Sequence, residues 1–238
     1  MNGTLILSIV IIIAGMAMLA AFLAQRTRSG AGAKAVILKS TVSVLFLALW
    51  GVLSVGKAEP YTLFIGGGLL FGLLGDIWLD LKFACREGEE DTYTVMGFGS
   101  FAIGHVLYVA AVAFGVSQVK LSAVISALGV ALIAGCAVFF GEKLMGLNYG
   151  KYKMISTLYG ALMFFMTSFA LFSAVFAGIG DNKKIFMLFI GGVFFIISDL
   201  ILSGTYFGEG KDRPVDIVTN HVTYYIAQYV IAATLLLA

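Results

Sequence analysis

The sequence consists largely of apolar stretches that are each about 20 residues long, the length at which a helix crosses the hydrocarbon core of a bilayer. Backbone N–H and C=O groups find no water in lipid, so stretches of this length are expected to be helices. Eight windows meet this description: 3–24, 34–55, 61–81, 96–116, 121–140, 152–177, 184–204 and 217–237. The sequence therefore predicts an all-α, polytopic membrane protein with about eight transmembrane helices, forming a single domain over residues 1–238.

The composition agrees with a lipid environment. Of the 238 residues, 61% are hydrophobic and 12% are charged, with a mean hydropathy of +1.02, whereas a soluble domain carries about 25% charged residues. The lipid bilayer is therefore the expected partner of most of the surface. The net charge of +2 is too small for a nucleic-acid-binding surface, so we expect no nucleic-acid partner. The two cysteines do not form a disulfide framework.

The distribution of lysine and arginine between the loops predicts an orientation. One set of loops contains ten basic residues: Arg26, Arg28, Lys34, Lys82, Arg86, Lys143, Lys151, Lys153, Lys211 and Arg213. The opposite set contains four: Lys57, Lys120, Lys183 and Lys184. The positive-inside rule assigns the richer set to the cytoplasm and both termini to the opposite side.

A short pattern occurs twice, four helices apart. Asp76 lies near the end of the third window and Asp199 near the end of the seventh. The window after each contains His-Val-x-Tyr, in "HVLYVAA" from His105 and in "HVTYYIA" from His221. This arrangement is typical of a 4+4 parallel repeat about an axis along the membrane normal. In such a repeat, Asp76 and Asp199 would face each other across the axis.

The third window carries its polar residues on one helix face. Gly68, Gly72, Asp76 and Asp80 recur every four residues, and glycines at this spacing let a neighbouring helix approach closely. The aspartates are therefore expected to point into the bundle. An ionisable group at that depth costs several kcal/mol unless it is paired or protonated, so Asp76 and Asp199 are candidate functional residues. Asp80 is closer to the boundary and fits either a site residue or an interfacial residue.

Several further polar residues lie at a similar depth, roughly 8–14 Å below the predicted cytoplasmic boundary at 1.5 Å per residue. They come from six different helices: Lys39, Asp76, His105, Tyr159, Asp199 and Tyr224. Taken singly, a lysine at this depth can extend its amine to the membrane surface and a tyrosine can belong to the aromatic belt. Their common depth instead predicts one polar cavity that opens toward the cytoplasm.

Metal binding is not expected from the spacing of the candidate ligands. The chain has two histidines, and neither combines with cysteines or carboxylates in a zinc-site spacing. His221 lies near the start of the last window and is expected at the membrane surface. We therefore predict no metal and no cofactor.

Five motifs occur in order along the chain: "GGLLFGLLGDIWL", "GHVLY", "LYGALMFFM", "GGVFFIISDLIL" and "TYYIAQ". This ordered set resembles the YhhN family of multi-pass membrane proteins, which includes the lysoplasmalogenases. The resemblance runs from about Lys39 to the C-terminus. One departure is the pair Lys39-Ser40, where the family pattern has a proline after the lysine, which puts the role of Lys39 in doubt.

The activity that this resemblance implies is hydrolysis of the vinyl ether bond of lysoplasmalogens. The products are a fatty aldehyde and glycerophospho-ethanolamine or -choline, so the implied partner is a lysophospholipid substrate. Asp76, Asp199 and His105 are the implied catalytic residues. The residues implied in substrate binding, together with Asp80, are Lys39, Tyr108, Tyr159, Tyr224 and Gln228.

Vinyl ether hydrolysis suits a pair of aspartates. Protonation at carbon gives an oxocarbenium ion that water captures, which requires an acid that holds its proton and a carboxylate that stabilises the cation and activates water. Glycosidases likewise assign these two roles to two carboxyl groups in different surroundings. We expect one of Asp76 and Asp199 to be the acid and the other the base, without assigning which; His105 would relay protons or orient the water.

Two other functions use intramembrane aspartates. An intramembrane aspartyl protease typically has Gly-x-Gly-Asp and Tyr-Asp, whereas this chain has Leu73-Leu74-Gly75-Asp76 and Ser198-Asp199. A proton-coupled transporter or lipid carrier would also use buried aspartates, a lysine and an internal repeat, and it is the alternative to the hydrolase. A structural membrane protein would not need polar residues at one depth.

Overall fold

The computed structural model describes residues 3–210 and 212–238, and these residues contain eight α-helices and two short 3₁₀ helices but no strand. Lys211, one of the ten basic residues counted above, lies outside the described residues. The helices are α1 (Gly3–Ser29), α2 (Ala33–Leu53), α3 (Pro60–Leu81), α4 (Glu90–Gly115), α5 (Leu121–Gly141), α6 (Lys153–Ala177), α7 (Lys183–Phe207) and α8 (Pro214–Ala233). The predicted all-α class is confirmed.

Seven helices of the described chain are long and apolar enough to cross a membrane, which supports a multi-pass membrane protein. The eighth, α8, does not reach that level of hydropathy, because its face toward the bundle carries Asn220, Tyr224, Tyr225 and Gln228, all of them buried. Its other buried residues are apolar, and it packs against α7 and α2. It is therefore an interior helix of the bundle.

Helix ends follow local chemistry, and two of them lie five or six residues beyond the predicted windows. Helix α4 begins at Glu90, six residues before the predicted window, and its first turn contains Glu90 and Asp91. Acidic side chains there interact favourably with the positive end of the helix dipole. Helix α1 likewise extends to Ser29, with Arg26 and Arg28 in its last turn.

Most contacts between helices recur in both halves, although α1 also packs against α8 while the corresponding helices α5 and α4 do not pack extensively. Sequential pairs α1–α2 and α3–α4 correspond to α5–α6 and α7–α8. In a repeat of four helices, α4 is the counterpart of α8. Helices α2 and α3 both contact α8, and their counterparts α6 and α7 both contact α4. A 4+4 repeat about a two-fold axis along the bundle would produce this exchange of partners, and the repeat itself stays a prediction.

Glycines on α3 set how closely the neighbouring helices approach. A Cβ at Gly68 would lie 2.2 Å from Cε1 of Tyr108 on α4, and one at Gly72 would lie 2.7 Å from Nε2 of Gln228 on α8. Both distances are shorter than van der Waals contact. The prediction that this face of α3 points into the bundle is confirmed, and Asp76 and Asp80, which continue the face, are buried as well.

Candidate functional site

A polar cavity of about 460 Å³ lies at the end of the bundle where the basic-rich loops are. Residues of α1, α2, α3, α7 and α8, together with Phe101 of α4, form its walls. Five predicted site residues line it: Lys39, Asp76, Asp80, Asp199 and Tyr224. The structure therefore brings together, in one cavity, four side chains from four helices that the sequence placed at similar depth, together with Asp80, which was predicted nearer the boundary.

Lys39 is buried inside this cavity and is paired with two carboxylates. Its Nζ lies 2.9 Å from Oδ1 of Asp80 and 3.4 Å from Oδ1 of Asp76. Lys39 is 6% exposed. Its amine is therefore held inside the bundle and does not extend to the outer surface. Helix α2 is continuous through Ser40, whose hydroxyl donates to the carbonyl of Val36 (2.8 Å). Lys39 is thus a fixed counter-charge for α3.

Asp76 is held by three donors. Besides Lys39, the hydroxyls of Ser43 (2.6 Å) and Tyr224 (2.7 Å) both donate to its Oδ2. A carboxylate that accepts several charge-assisted hydrogen bonds is stabilised in its ionised form and fixed in orientation. Asp76 is therefore fixed in orientation and has one cation and two hydroxyl donors around it.

A chain of hydrogen bonds continues from Asp76 into the core. Gln228 Nε2 donates to the Tyr224 hydroxyl (2.9 Å), and the Tyr108 hydroxyl donates to Gln228 Oε1 (3.2 Å). Tyr108 and Gln228 are fully buried and lie behind Tyr224, away from the cavity lining. Their contacts orient Tyr224, and through it Asp76.

Asp199 has different surroundings. Its Oδ2 accepts a hydrogen bond from the Tyr159 hydroxyl (2.5 Å), and no ion pair to Asp199 occurs within the described residues. It also lines a second, narrow crevice of about 80 Å³ between α4, α6 and α7. That crevice is mostly apolar, with Phe98, Met163 and Phe164 among its walls.

The crevice and the polar cavity share part of their walls. Five residues line both: Leu79, Phe101, Asp199, Leu202 and Tyr206. Asp199 is the only carboxylate among them. It therefore lies at the boundary between a charged compartment and an apolar one.

The two histidines are placed differently from expectation. His105 is 1% exposed and lies among the rings of Phe195 and Tyr159, with centroids 4.7 and 5.5 Å away, and is not part of either lining. Its Nδ1 donates to the carbonyl of Phe101 (2.7 Å), while its buried Nε2 has no partner among the described side chains and backbone. His221, expected at the membrane surface, instead lines the polar cavity with its ring 4.9 Å from that of Phe22.

The mouth of the polar cavity contains Arg26 and Lys82. The Arg26 guanidinium lies 4.6 Å from the centre of the Phe83 ring, and Lys82 Nζ lies 3.5 Å from that of Tyr206. Burial, together with the nearby charge of Arg26, lowers the pKa of Lys82 to about 8. The outer part of the cavity is therefore basic, while its inner part contains the paired aspartates.

Sequence reasoning missed several lining or supporting residues. Ser43 follows Lys39 by one helical turn, and Tyr206 follows Asp199 by two, so helical spacing could have found both. Tyr225, whose hydroxyl donates to the Lys39 carbonyl (3.1 Å), is adjacent to Tyr224 but on a different side of α8. Arg26 was predicted only as one of the basic residues on the cytoplasmic side and not as a site residue, because α1 contains none of the motifs.

No group of three or more histidine, cysteine or carboxylate side chains that could hold a metal ion occurs in residues 3–210 and 212–238. Cys85 and Cys136 are both free thiols. The donor set of the cavity is instead carboxylates, hydroxyls and amines, which suits proton transfer and the binding of polar lipid groups.

The motifs and the fold agree with a comparison against protein families. The model of the YhhN family matches residues 34–235, which is α2 to the end of α8 and leaves α1 outside the match. Searches of curated proteins and of solved structures found no match. Since the family model covers most of the chain, the protein belongs to the YhhN family.

Proposed function

We propose that this protein is a lysoplasmalogenase-type membrane hydrolase, which cleaves the vinyl ether bond of lysoplasmalogens to a fatty aldehyde and glycerophospho-ethanolamine or -choline. One observation carries the proposal. Asp199 lies where a polar cavity that contains Asp76 meets an apolar crevice between helices. The vinyl ether of a lysoplasmalogen is likewise the junction between its polar head and its apolar tail.

The two compartments match the two parts of such a lipid. The glycerophospho head group fits the polar cavity, and the first part of the alkenyl chain fits the crevice lined by Phe98, Met163 and Phe164. A tail in this crevice lies between α4, α6 and α7, and the head group lies at the basic end of the bundle. With the orientation predicted from the loops, the cavity opens to the cytoplasm and both termini face the other side.

The different surroundings of the two aspartates support different roles. Asp199 has a tyrosine donor and no ion pair among the described residues, so its charge would be poorly compensated beside the apolar crevice. We assign it as the general acid, which transfers a proton to the vinyl carbon distal to oxygen. Asp76, with Lys39, Ser43 and Tyr224 around it, is the ionised partner.

The reaction then balances with one water molecule. The Asp199 proton forms a C–H bond, and the ether oxygen stabilises the cation as an oxocarbenium ion. The water oxygen bonds to the cationic carbon while Asp76 takes a proton from that water. This step gives a hemiacetal. The hemiacetal breaks when Asp76 gives the proton it took from water to the glycerol oxygen, while Asp199 takes the remaining water proton from the hemiacetal hydroxyl. Aldehyde and glycerophospho-alcohol leave, and both carboxyl groups return to their starting states.

The other predicted residues support this pair. Lys39 stabilises the charges of Asp76 and Asp80, and Tyr108 and Gln228 hold Tyr224 against Asp76. His105 packs against Tyr159, so we assign it the positioning of that tyrosine and of the Asp199 carboxyl.

The test uses purified protein in detergent with a lysoplasmalogen, and aldehyde release is followed through coupled NADH-dependent reduction. Wild-type protein should release aldehyde, while Asp76→Asn and Asp199→Asn should each lose at least about 100-fold in kcat, as expected for a general acid or base. Asp181→Asn is the matched control, because Asp181 is exposed in the α6–α7 loop. Equal activity in all three variants would refute the assignment of the aspartates.

A transporter or lipid carrier is the second candidate, and the repeated helix packing favours it, because transporters often consist of two related halves. The same assay separates the two functions. A transporter has no gradient to use in detergent and releases no aldehyde, so folded wild-type protein that is inactive across head groups and pH values would favour transport.

A further inference from the structure

We propose that Arg26 and Lys82 form a phosphate-binding subsite at the mouth of the polar cavity, which binds the phosphodiester of a lysophospholipid head group. The inference rests on the proposed function for the identity of the lipid. The subsite itself rests on the position, charge and partners of these two side chains.

The inner cation is not free to bind phosphate. Lys39 is buried and lies within 3.4 Å of carboxylate oxygens of both Asp76 and Asp80. An approaching phosphate would have to displace one of these carboxylates or add a third anion beside them. The phosphate is therefore expected to remain nearer the mouth.

Arg26 and Lys82 are cations without a carboxylate partner at salt-bridge distance in the described chain. They come from α1 and from the residue just after α3, and both line the same cavity. Two adjacent like charges repel each other, and a bound anion removes that repulsion. A guanidinium also matches phosphate geometry through paired N–H donors, and an ammonium adds a point charge.

Aromatic rings hold both cations in place. The Phe83 ring lies 4.6 Å from the Arg26 guanidinium carbon and 5.1 Å from Lys82 Nζ, and the Tyr206 ring lies 3.5 Å from the same Nζ. Cation–π contacts restrict a charged side chain while leaving its N–H groups available for hydrogen bonds. The pair is thus partly organised before an anion arrives.

The rim also contains a carboxylate, Asp212, which is exposed and lines the same cavity. It suits the ammonium end of a choline or ethanolamine head group. The mouth therefore offers positive charge for the phosphate and negative charge for the amine of one zwitterionic head group.

Binding is measured with lipids that lack a vinyl ether, so the result does not depend on hydrolysis. The probes are 1-palmitoyl-lysophosphatidylcholine, whose tail is an ester, and 1-palmitoylglycerol, which has no phosphate. Full-length protein in non-ionic detergent is titrated with each. Arg26→Gln and Lys82→Gln should each weaken lysophosphatidylcholine binding about ten-fold, the effect of one charged hydrogen bond, without changing palmitoylglycerol binding.

Arg28→Gln is the matched control, since it removes the same charge two residues later on the same helix, where the side chain is exposed and outside the lining. The subsite is refuted if Arg28→Gln weakens lysophosphatidylcholine binding as much as Arg26→Gln does. It is also refuted if Arg26→Gln and Lys82→Gln weaken the binding of both lipids equally, or of neither lipid. Competition by inorganic phosphate at millimolar concentration, without competition by glycerophosphocholine, would assign the subsite to free phosphate and refute the head-group assignment.

A pH series adds an independent readout. The pKa of Lys82 is lowered to about 8 by burial and by Arg26, against the opposing effect of Asp80 and Asp91. As pH rises through 8, Lys82 loses its proton, so the preference for the phosphate-bearing lipid should fall; Lys82→Arg should remove this dependence and retain binding. If the preference of wild-type protein for lysophosphatidylcholine over palmitoylglycerol does not change with pH, the role of Lys82 is contradicted. If wild-type protein binds lysophosphatidylcholine in an Arg26-dependent way and yet releases no aldehyde from a lysoplasmalogen, that result rejects the hydrolase function and supports the phosphate subsite.

Discussion

Replacing Lys39 with methionine tests whether the buried cation holds the α2–α3 interface together. Methionine keeps most of the apolar stem and removes the charge, so the packing of α2 is preserved. Asp76 and Asp80, one helical turn apart on α3, then remain buried without their counter-ion. The free energy of unfolding should fall because two negative charges lose their compensation.

The size of the effect follows from the geometry. With an effective dielectric constant of about 20, contacts of 2.9 and 3.4 Å each correspond to roughly 5–6 kcal/mol of attraction. Most of this is offset by the cost of removing the charges from water, and breaking a buried pair costs about 3–5 kcal/mol in practice. The polar cavity gives water access to the freed carboxylates. We therefore expect a loss of about 3 kcal/mol, at the lower end of that range.

Unfolding of purified protein in mixed micelles with increasing SDS measures this loss. The fluorescence of Trp50 and Trp78, on α2 and α3, reports the separation of the two helices. Lys143→Met is the control, because Lys143 is exposed in the loop after α5. The double variant Lys39→Met/Asp80→Asn should recover part of the stability by removing one unpaired charge.

The reasoning is refuted if Lys39→Met lowers the free energy of unfolding by less than about 1 kcal/mol, the range of exposed ion pairs. It is also refuted if Asp80→Asn lowers the stability of the Lys39→Met protein further. Either result would mean that Lys39 does not compensate the α3 aspartates.

Two further variants test the packing and the hydrogen bonds around the cavity. Gly68→Ala should cost about 1–3 kcal/mol of unfolding free energy, because its Cβ would lie 2.2 Å from the Tyr108 ring; thermal unfolding should show no such loss for Gly51→Ala, where nothing lies within 4 Å of the new Cβ. Tyr224→Phe should lower kcat for aldehyde release by about ten-fold, because Asp76 loses a hydrogen-bond donor, and an unchanged kcat would show that this contact does not position the carboxylate.

The eight helices were predictable from the sequence because lipid leaves the backbone few alternatives. A window of about 20 apolar residues must satisfy its own hydrogen bonds, so its type and approximate length follow from hydropathy alone. The ends were less predictable. Polar first turns, such as the one that begins at Glu90, extend a helix beyond its apolar window and are not visible to a hydropathy average.

Part of the candidate site was also predictable. Helical spacing places Gly68, Gly72, Asp76 and Asp80 on one face, and the cost of charge in lipid turns that face toward the bundle. Depth along the helices predicted that Lys39 would lie at the level of Asp76. Spacing along one helix does not determine which neighbour a face meets, so the partners of these residues could not be predicted.

The sequence by itself determined a bundle of apolar helices with aspartates on inward faces at a common depth. Only the tertiary structure decided that Lys39 pairs with Asp76 and Asp80 while Asp199 has Tyr159, and that Arg26 joins the mouth of the cavity. The physical reason is that periodicity and hydropathy act within a helix, whereas ion pairs and cavities depend on how helices are rotated and arranged against each other. Asp76 and Asp199 occur in similar motifs, but different side chains surround each of them in the folded protein.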